Sequence, residues 1–219
     1  MTTDSAHLYW NEEWARAQAG SKWSMPEAEV LAHAKGLPRG ARVLDLGAGI
    51  GRHALALAQL GMDVAAFDAA PESVASIAAA AASAGLTIDV RQGLMTDLPF
   101  DDSSFDHVLS WNVIYHGDEV IVSRSIAEIA RVLRPGGSFM GTMLSARRIP
   151  VELAKAPGRE ISRNTWTFNG EGDKGHPHYF CTARELLALF SDFEVWSLQD
   201  REHETAGSWH WHLLAERIR

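Results

Sequence analysis

The sequence predicts an α/β domain whose mostly parallel sheet carries helices on both faces. Short apolar runs alternate with helical patterns, and a glycine-rich turn joins the first strand and helix. The composition, 46% hydrophobic and 22% charged residues, is ordinary for a globular protein. A length of 219 residues favours one domain over two, so we expect 1–219 to form a single unit.

Strand and helix signals alternate regularly through the first two thirds of the chain. After a polar, tryptophan-bearing start, Pro26 opens and Gly36 closes a predicted helix over 26–36. The apolar runs and periodic segments that follow predict strands over 41–46, 62–67, 86–92, 105–111 and 138–144, and helices over 54–60, 71–84 and 118–133.

The last third departs from this alternation. Residues 145–180 have no clear period and are too long for an ordinary connection, so they indicate a lid or insertion. A helix over 183–190 follows, capped by Thr182, and two strands without a helix between them should pair antiparallel. The expected organisation is an amino-terminal helical lid (1–36), a core (40–145), the insertion (145–181) and a carboxyl-terminal helix with a strand pair (182–219).

Composition excludes several classes of protein and partner. The formal net charge of -8 disfavours a nucleic-acid partner, because a phosphate backbone attracts cations. Cys181 is the single cysteine, which excludes an internal disulfide and fits a reducing cytosol. Residues 1–5 do not resemble a secretory signal, and 65–84 is too weakly apolar to span a bilayer. We therefore expect a soluble, cytoplasmic protein without a membrane partner.

The glycine-rich turn and an acid after it predict a nucleoside site. Gly47, Gly49 and Gly51 allow a sharp turn and a close approach of backbone to ligand. Asp68 ends the second predicted strand, where a carboxylate can accept hydrogen bonds from both ribose hydroxyls. Glycine turns of this kind also occur for structural reasons alone, but the placement of Asp68 favours nucleoside binding.

A dinucleotide-binding oxidoreductase is an alternative with weaker support. Its G-x-G-x-x-G fingerprint requires glycine at position 52, which is Arg52 here. Asp45 precedes the turn and suits a cationic amino acid better than a pyrophosphate. A non-catalytic nucleoside-binding module remains open, whereas a serine hydrolase is disfavoured because the sequence has no G-x-S-x-G elbow.

Three segments together resemble the class I S-adenosylmethionine-dependent methyltransferases. Residues 43–53 resemble motif I, 93–100 with Phe105 and Asp106 resemble the adenine-side loop and fourth strand, and 131–137 resemble the turn before the fifth strand. The general shape is similar to small-molecule enzymes of the methyltransferase-11 and tellurite-resistance types. The resemblance implies a Rossmann-like, seven-stranded sheet with one reversed strand, which agrees with the antiparallel last strand.

The resemblance also implies S-adenosylmethionine as cofactor and assigns residues to it. Many relatives have an acid where this chain has Leu94, so backbone or water contacts would replace that side chain at the adenine amine. The implied contacts are Asp45, Gly47, Ala48, Gly49 and Gly51 for the methionyl part, Asp68 and Ala69 for the ribose, Gly93, Leu94 and Met95 for the adenine, and Trp111 and Asn112 beside them.

Side chains after the fourth predicted strand are candidates for the chemistry. Methyl transfer needs positioning and exclusion of water more than a base. His116 could accept a proton from the nucleophile and Tyr115 could orient the substrate, although packing roles remain open for both. Near the amino terminus, Tyr9 and Trp23 could contact the sulfonium, since cation–π attraction is worth about 0.5–2 kcal/mol.

Two histidine pairs raise the question of a metal. His176 and His178, and His210 and His212, are each two residues apart, but no carboxylate or thiolate follows at a recognised metal spacing. The sequence therefore predicts no metal site, with the later pair on the polar face of the last strand and the earlier pair at the lid. Bases outnumber acids over 145–181, which favours an anionic small-molecule substrate. The sequence does not indicate an oligomeric state.

Overall fold

The computed structural model describes residues 3–17, 22–170, 172–203 and 205–218. Met1 and Thr2, at the start of the expected amino-terminal lid, lie outside the described residues, as does the Lys22 side chain. The helices are α1 (Ala6–Arg16), α2 (Ala28–Ala34), α3 (Arg52–Gln59), α4 (Pro71–Ala84), α5 (Glu119–Val132), α6 (Ile149–Lys155) and α7 (Ala183–Leu189). The strands are β1 (Arg42–Leu46), β2 (Asp63–Asp68), β3 (Ile88–Gln92), β4 (Phe105–Ser110), β5 (Leu133–Ser145), β6 (Gly158–Ser162), β7 (Thr165–Phe168), β8 (His178–Cys181), β9 (Phe193–Glu202) and β10 (Trp209–Arg217).

The main sheet has the order β3-β2-β1-β4-β5-β10-β9. The first five strands are parallel, whereas β10 runs antiparallel to both of its neighbours. This arrangement confirms the Rossmann-like seven-stranded sheet with one reversed strand. In a parallel sheet the carboxyl ends of the strands meet at one edge, which is where such folds bind ligands.

Alternate residues of the central strands enter two separate apolar cores. This period of two follows from strand geometry, in which neighbouring side chains point to opposite faces. One face packs against α5 and α7, and the other packs against α2, α3 and α4. On β1 and β2, Leu44, Leu46, Ala65 and Phe67 enter the first core, and Val43, Val64 and Ala66 enter the second.

The insertion has regular structure that the sequence pattern does not reveal. It contains α6 and the strands β6, β7 and β8, which form an antiparallel extension. β8 attaches to the end of β5 through the pairs Leu144–Phe180 and Ser145–Cys181. β4 pairs with β5 only as far as Gly141, so β8 occupies the same edge of β5 beyond the point where β4 ends.

Helix caps explain where several elements begin. Asp118 accepts hydrogen bonds from the amides of Val120 and Ile121, and Thr182 forms a capping box with Glu185, so both expected caps are confirmed. Pro26 differs from expectation, because α2 starts only at Ala28. Among the described helices, none is both long and apolar enough to cross a membrane.

Candidate active site

Left-handed glycines shape the turn between β1 and α3. Gly47, Gly49 and Gly51 have φ values of 74°, 56° and 88°, a region that favours glycine. A Cβ on Gly47 would lie 2.3 Å from the Val113 side chain, and one on Gly49 would lie 3.0 Å from the Trp14 ring. Glycine is therefore required at both positions by backbone conformation and by space.

Asp68 fastens this turn to the end of β2. Its Oδ2 accepts a hydrogen bond from the Gly49 amide at 2.8 Å, and its Oδ1 accepts one from the Ala70 amide at 2.9 Å. Ser73 donates to the Gly49 carbonyl. Burial raises the pKa of Asp68, and the backbone donors oppose that rise. These contacts fix the Asp68 carboxylate at the carboxyl end of β2.

A cavity of about 760 Å³ opens at this edge of the sheet. The glycine turn, the loop after β4 and the insertion all line it, and Val113 of that loop lies against Gly47. The sequence-predicted residues that line the cavity are Tyr9, Trp23, Gly47, Ala48, Gly49, Asp68, Ala69, Gly93, Leu94, Met95, Trp111, Asn112, Tyr115 and His116.

Asp45 and Gly51 lie behind the cavity wall instead of lining it. Asp45 is 1% exposed and accepts a hydrogen bond from the Ala54 amide in the first turn of α3, which makes it a helix-capping group. Burial raises its pKa to about 7, and its Oδ2 has no hydrogen-bond partner among the described residues. A Cβ on Gly51 would lie 2.9 Å from Ile77, so this glycine permits close packing of α3 on α4.

The loop after β3 forms the adjoining wall. The Gly93 amide donates to the Asp68 carbonyl at 3.0 Å, and a Cβ on Gly93 would lie 2.7 Å from the Phe67 ring. Leu94 is 42% exposed, whereas Met95 is buried. This wall therefore offers an apolar surface and backbone groups rather than a carboxylate.

Aromatic rings of α1 and the following turn cover the glycine turn. Trp10 stacks on Trp14 with ring centroids 5.0 Å apart, and Trp23 meets both edge-on. Trp10 also lies 6.5 Å from the His116 ring. Tyr9 and Trp23 contribute to the cavity wall, so the sequence-predicted aromatic segment does face the cavity.

The loop after β4 is held by hydrogen bonds to β5. The Asn112 amide donates to Thr142 Oγ1 at 2.8 Å, and Asn112 has a φ of 63°. Trp111 is buried against the His203 and His212 rings. Burial raises the pKa of Tyr115, which keeps its phenol protonated at neutral pH.

Three groups of the insertion and of this loop converge, and sequence spacing did not identify them. Asp173 Oδ2 lies 3.2 Å from His178 Nε2 and 3.6 Å from His116 Nε2. Burial acts to raise the Asp173 pKa, but the Lys174 ammonium, 3.4 Å from Asp173 Oδ1, and the two imidazoles together hold it well below its ordinary value. Burial lowers the pKa of His178 to about 3. The isolated bridge between His116 and His178 brings these two distant residues together.

The last strand also differs from the sequence-based interpretation. His210 and His212 are 3% and 8% exposed, so they do not form a polar solvent-facing row. Both line the cavity, where His210 stacks on His203 with centroids 3.7 Å apart. The Arg148 guanidinium donates to His210 Nε2 at 3.1 Å. The antiparallel pairing of β10 with β5 turns this face inward, which the alternation of residues alone cannot indicate.

The cations of the insertion are largely neutralised by neighbouring acids. The ion pairs are Arg147 with Asp200, Arg148 and Lys155 with Glu152, Arg163 with Glu185, and Lys174 with Asp173. Five of the six bases over 145–181 therefore have a carboxylate partner, with Glu152 shared by two of them, and the anionic substrate stays a prediction.

Comparison with known proteins adds a family to this geometry. Residues 43–137 match the family model described as a methyltransferase domain. An uncharacterized methyltransferase of Mycobacterium bovis is 41% identical over 129 residues, which cover 58% of this chain and 50% of that protein. The chain spans about half the length of the curated relatives it matches.

Solved structures share the fold. A protein from Pyrococcus horikoshii has a TM-score of 0.75 at 18% identity, covering 94% of this chain and 98% of the other. A 1,6-didemethyltoxoflavin-N1-methyltransferase from Burkholderia thailandensis, solved with 1,6-didemethyltoxoflavin and S-adenosylhomocysteine bound, has a TM-score of 0.69 at 22% identity, covering 98% of this chain and 89% of the other. At these identities the likeness shows the fold.

The fold is thus the Rossmann-like fold of methyltransferases. Residues 43–137 are in addition similar to a methyltransferase domain. The residues present fit S-adenosylmethionine, the cofactor that the sequence resemblance implies, because Gly49 leaves a space that a Cβ would fill beside Trp14 and the Asp68 carboxylate lines the cavity.

Proposed function

We propose that this chain transfers the methyl group of S-adenosylmethionine to a small molecule. The observation that carries the proposal is the single cavity of about 760 Å³ shared by the glycine turn and the loop after β4. A volume of this size is in the usual range for small-ligand pockets. A donor at one end and an acceptor at the other would meet inside it.

The cofactor end is assigned to residues of the first half of the chain. Asp68 would accept from the ribose hydroxyls, the turn over 47–51 would face the methionyl part, and Leu94 with Met95 would pack on the adenine. When bound, the cofactor supplies a methyl group activated by a positively charged sulfur. The rings of Trp10 and Trp14 support a cationic ligand here, because aromatic faces attract cations.

The acceptor end is assigned to the loop after β4 and the insertion. Tyr115 keeps its proton because of burial, so it orients an acceptor through its hydroxyl and does not act as a base. His116 is 8% exposed and lines the same end of the cavity. Covering by α1 and by the insertion would exclude water, which favours displacement at the methyl carbon.

The cell compartment and the partners of the protein are part of the same proposal. A net charge of -8 supports the absence of a nucleic-acid partner, and a single cysteine, Cys181, supports a cytoplasmic enzyme in a reducing compartment. We do not extend the proposal to an anionic acceptor, because five of the insertion's six cations already have carboxylate partners, as in the pair of Arg148 with Glu152.

A labelling experiment tests the proposal. The chain is incubated with methyl-labelled S-adenosylmethionine and fractionated small-molecule extracts, and the label is followed by mass spectrometry. We expect label in one fraction with the unaltered chain and none with Asp68→Ala. Binding of S-adenosylhomocysteine without transfer in any fraction would instead favour a non-catalytic module, and absence of that binding would refute the cofactor site.

A further inference from the structure

Three side chains from separate parts of the chain form a cluster at the acceptor end. His116 follows β4, Asp173 begins a short 3-10 turn in the insertion, and His178 is the first residue of β8. The backbone fixes their proximity, since the Gly117 amide donates to the Pro177 carbonyl at 2.9 Å and the Tyr179 amide donates to the Tyr115 carbonyl at 2.8 Å.

The spacing of the potential ligand atoms suits one metal ion. Bonds from Zn²⁺ to imidazole nitrogen or carboxylate oxygen are about 2.0–2.2 Å long, so two ligand atoms on one ion are about 3.0–3.6 Å apart. Asp173 Oδ2 lies 3.2 Å from His178 Nε2 and 3.6 Å from His116 Nε2. The three ligand atoms all lie within 4.8 Å of one another.

The hydrogen-bond partners of these side chains support a cation between His116, Asp173 and His178. His178 Nδ1 lies 2.8 Å from the His176 carbonyl oxygen, which can only accept, so Nδ1 carries the hydrogen. In a neutral ring Nε2 is then an acceptor, and it faces another acceptor, Asp173 Oδ2. His116 Nε2 is buried and has no hydrogen-bond partner among the described residues. A cation at their centre would satisfy all three atoms.

The surroundings resemble those of a supported metal ligand. Metal-binding histidines usually donate their other nitrogen to a carbonyl or carboxylate, as His178 does here, and binding carboxylates are themselves hydrogen-bonded. The Lys174 ammonium donates to Asp173 Oδ1 at 3.4 Å and lies 3.5 Å from Oδ2, while both imidazoles approach Oδ2. A metal ion would therefore bind on the Oδ2 side, with Lys174 orienting the carboxylate.

We infer that His116, Asp173 and His178 bind one divalent transition-metal ion, such as Zn²⁺ or Co²⁺, in the cavity wall. Two imidazoles and one carboxylate form a donor set that such ions prefer. As a ligand, His116 would not serve as the proton acceptor expected from the sequence. His116 and Asp173 both line the cavity, so an acceptor with a hydroxyl, thiol or amine group could reach the ion. That last step rests on the proposed function, whereas metal binding does not.

Metal titration of the chelator-treated full chain tests the inference. Calorimetry with Zn²⁺ and visible absorption with Co²⁺ should report one ion per chain. Asp173→Asn and His116→Ala should each weaken binding by about 10-fold or more. His176→Ala is the matched control, because it removes an imidazole from the same segment but keeps the carbonyl that accepts from His178; its affinity should equal that of the unaltered chain.

Two further measurements keep the outcome interpretable. Thermal unfolding checks that each variant is folded; if Asp173→Asn is not, His116→Ala gives the same test from a loop position. S-adenosylhomocysteine binding is measured in parallel, and its failure in the unaltered chain would count against the proposed function only. No stoichiometric ion in the unaltered chain, unchanged affinity in folded variants, or an equal loss in His176→Ala would each overturn the metal site.

Discussion

The two ends of the cavity are built in different ways. The floor of the cofactor end comes from one run, 46–95, in which a strand, a glycine turn and an acid follow at short separations, and aromatic rings of α1 cover it. The acceptor end comes from residues far apart in sequence, including His116, Asp173 and His210. Short-range geometry determines the first end, whereas strand pairing between distant segments determines the second. A substitution at the cofactor end should therefore alter cofactor binding and leave the acceptor end intact, and a substitution at the acceptor end should do the reverse.

The largest change in cofactor affinity is expected from Asp68→Ala. The variant loses the carboxylate that holds the Gly49 amide and would receive the ribose hydroxyls. Two hydrogen bonds to a charged group, at about 1.5–3 kcal/mol each, correspond to at least about 100-fold weaker binding of S-adenosylhomocysteine. Asp63→Ala, at the exposed start of the same strand, is the control and should bind normally in the same titration. Equal affinities would mean that Asp68 does not bind the ribose.

A pair of glycine variants tests whether cofactor binding needs the space that the missing Cβ of Gly49 leaves at the turn. Gly49 and Gly85 have φ values of 56° and 65°, but only Gly49 has a side chain near its missing Cβ. Alanine in this conformation costs roughly 1–2 kcal/mol at either position. Both variants should therefore have lower melting temperatures, by about 2–8 °C. Gly49→Ala alone should also lose cofactor affinity, by about 10-fold; a similar loss in Gly85→Ala would contradict this reading.

His210, at the acceptor end, should make the free energy of unfolding depend on pH. His210 Nδ1 lies 2.7 Å from the Ser208 carbonyl and its Nε2 accepts from Arg148, so the neutral ring is fully hydrogen-bonded. Burial lowers its pKa to about 2, below the ordinary 6.5. Between these values the unfolded chain binds the extra proton, so the free energy of unfolding falls as pH falls below 6.5, by about 1.4 kcal/mol per pH unit from this group.

His210→Gln tests that pH dependence. Glutamine keeps a donor and an acceptor but does not titrate, so the variant should lose less stability than the unaltered chain between pH 6 and pH 4. Urea unfolding at several pH values measures the two slopes. Parallel slopes would show that His210 is not the titrating group.

The smallest effect is expected at the adenine wall. Leu94→Asp introduces a carboxylate at a side chain that is 42% exposed on the cavity. One added hydrogen bond is worth about 1 kcal/mol, so S-adenosylhomocysteine should bind about 5-fold more tightly. Leu187→Asp, at a position that is 46% exposed on α7, controls for the added charge. Weaker binding by Leu94→Asp would indicate that the adenine does not reach this wall.

The same contrast determines what the sequence predicts. The Gly47–Gly51 turn, Asp68 and the caps of α5 and α7 follow from local rules, and the parallel sheet follows from the alternation of strands and helices. Asp173 has no local signal, because its partners lie on β8 and after β4 and meet at the isolated bridge. The inward face of His210 likewise depends on the partner that β10 pairs with. Asp45 was recognised, but its link to Ala54 is visible only in three dimensions.

β4 and β8 follow one another along a single edge of β5, with Gly141 and Leu144 marking the change. Because side chains alternate along a strand, one residue added between these positions would turn every following side chain of β5 to the opposite face. The length of this short stretch is therefore as restrictive as its composition. Natural or engineered variation should be tolerated in pairs of residues there, and single insertions should uncouple the two ends of the cavity.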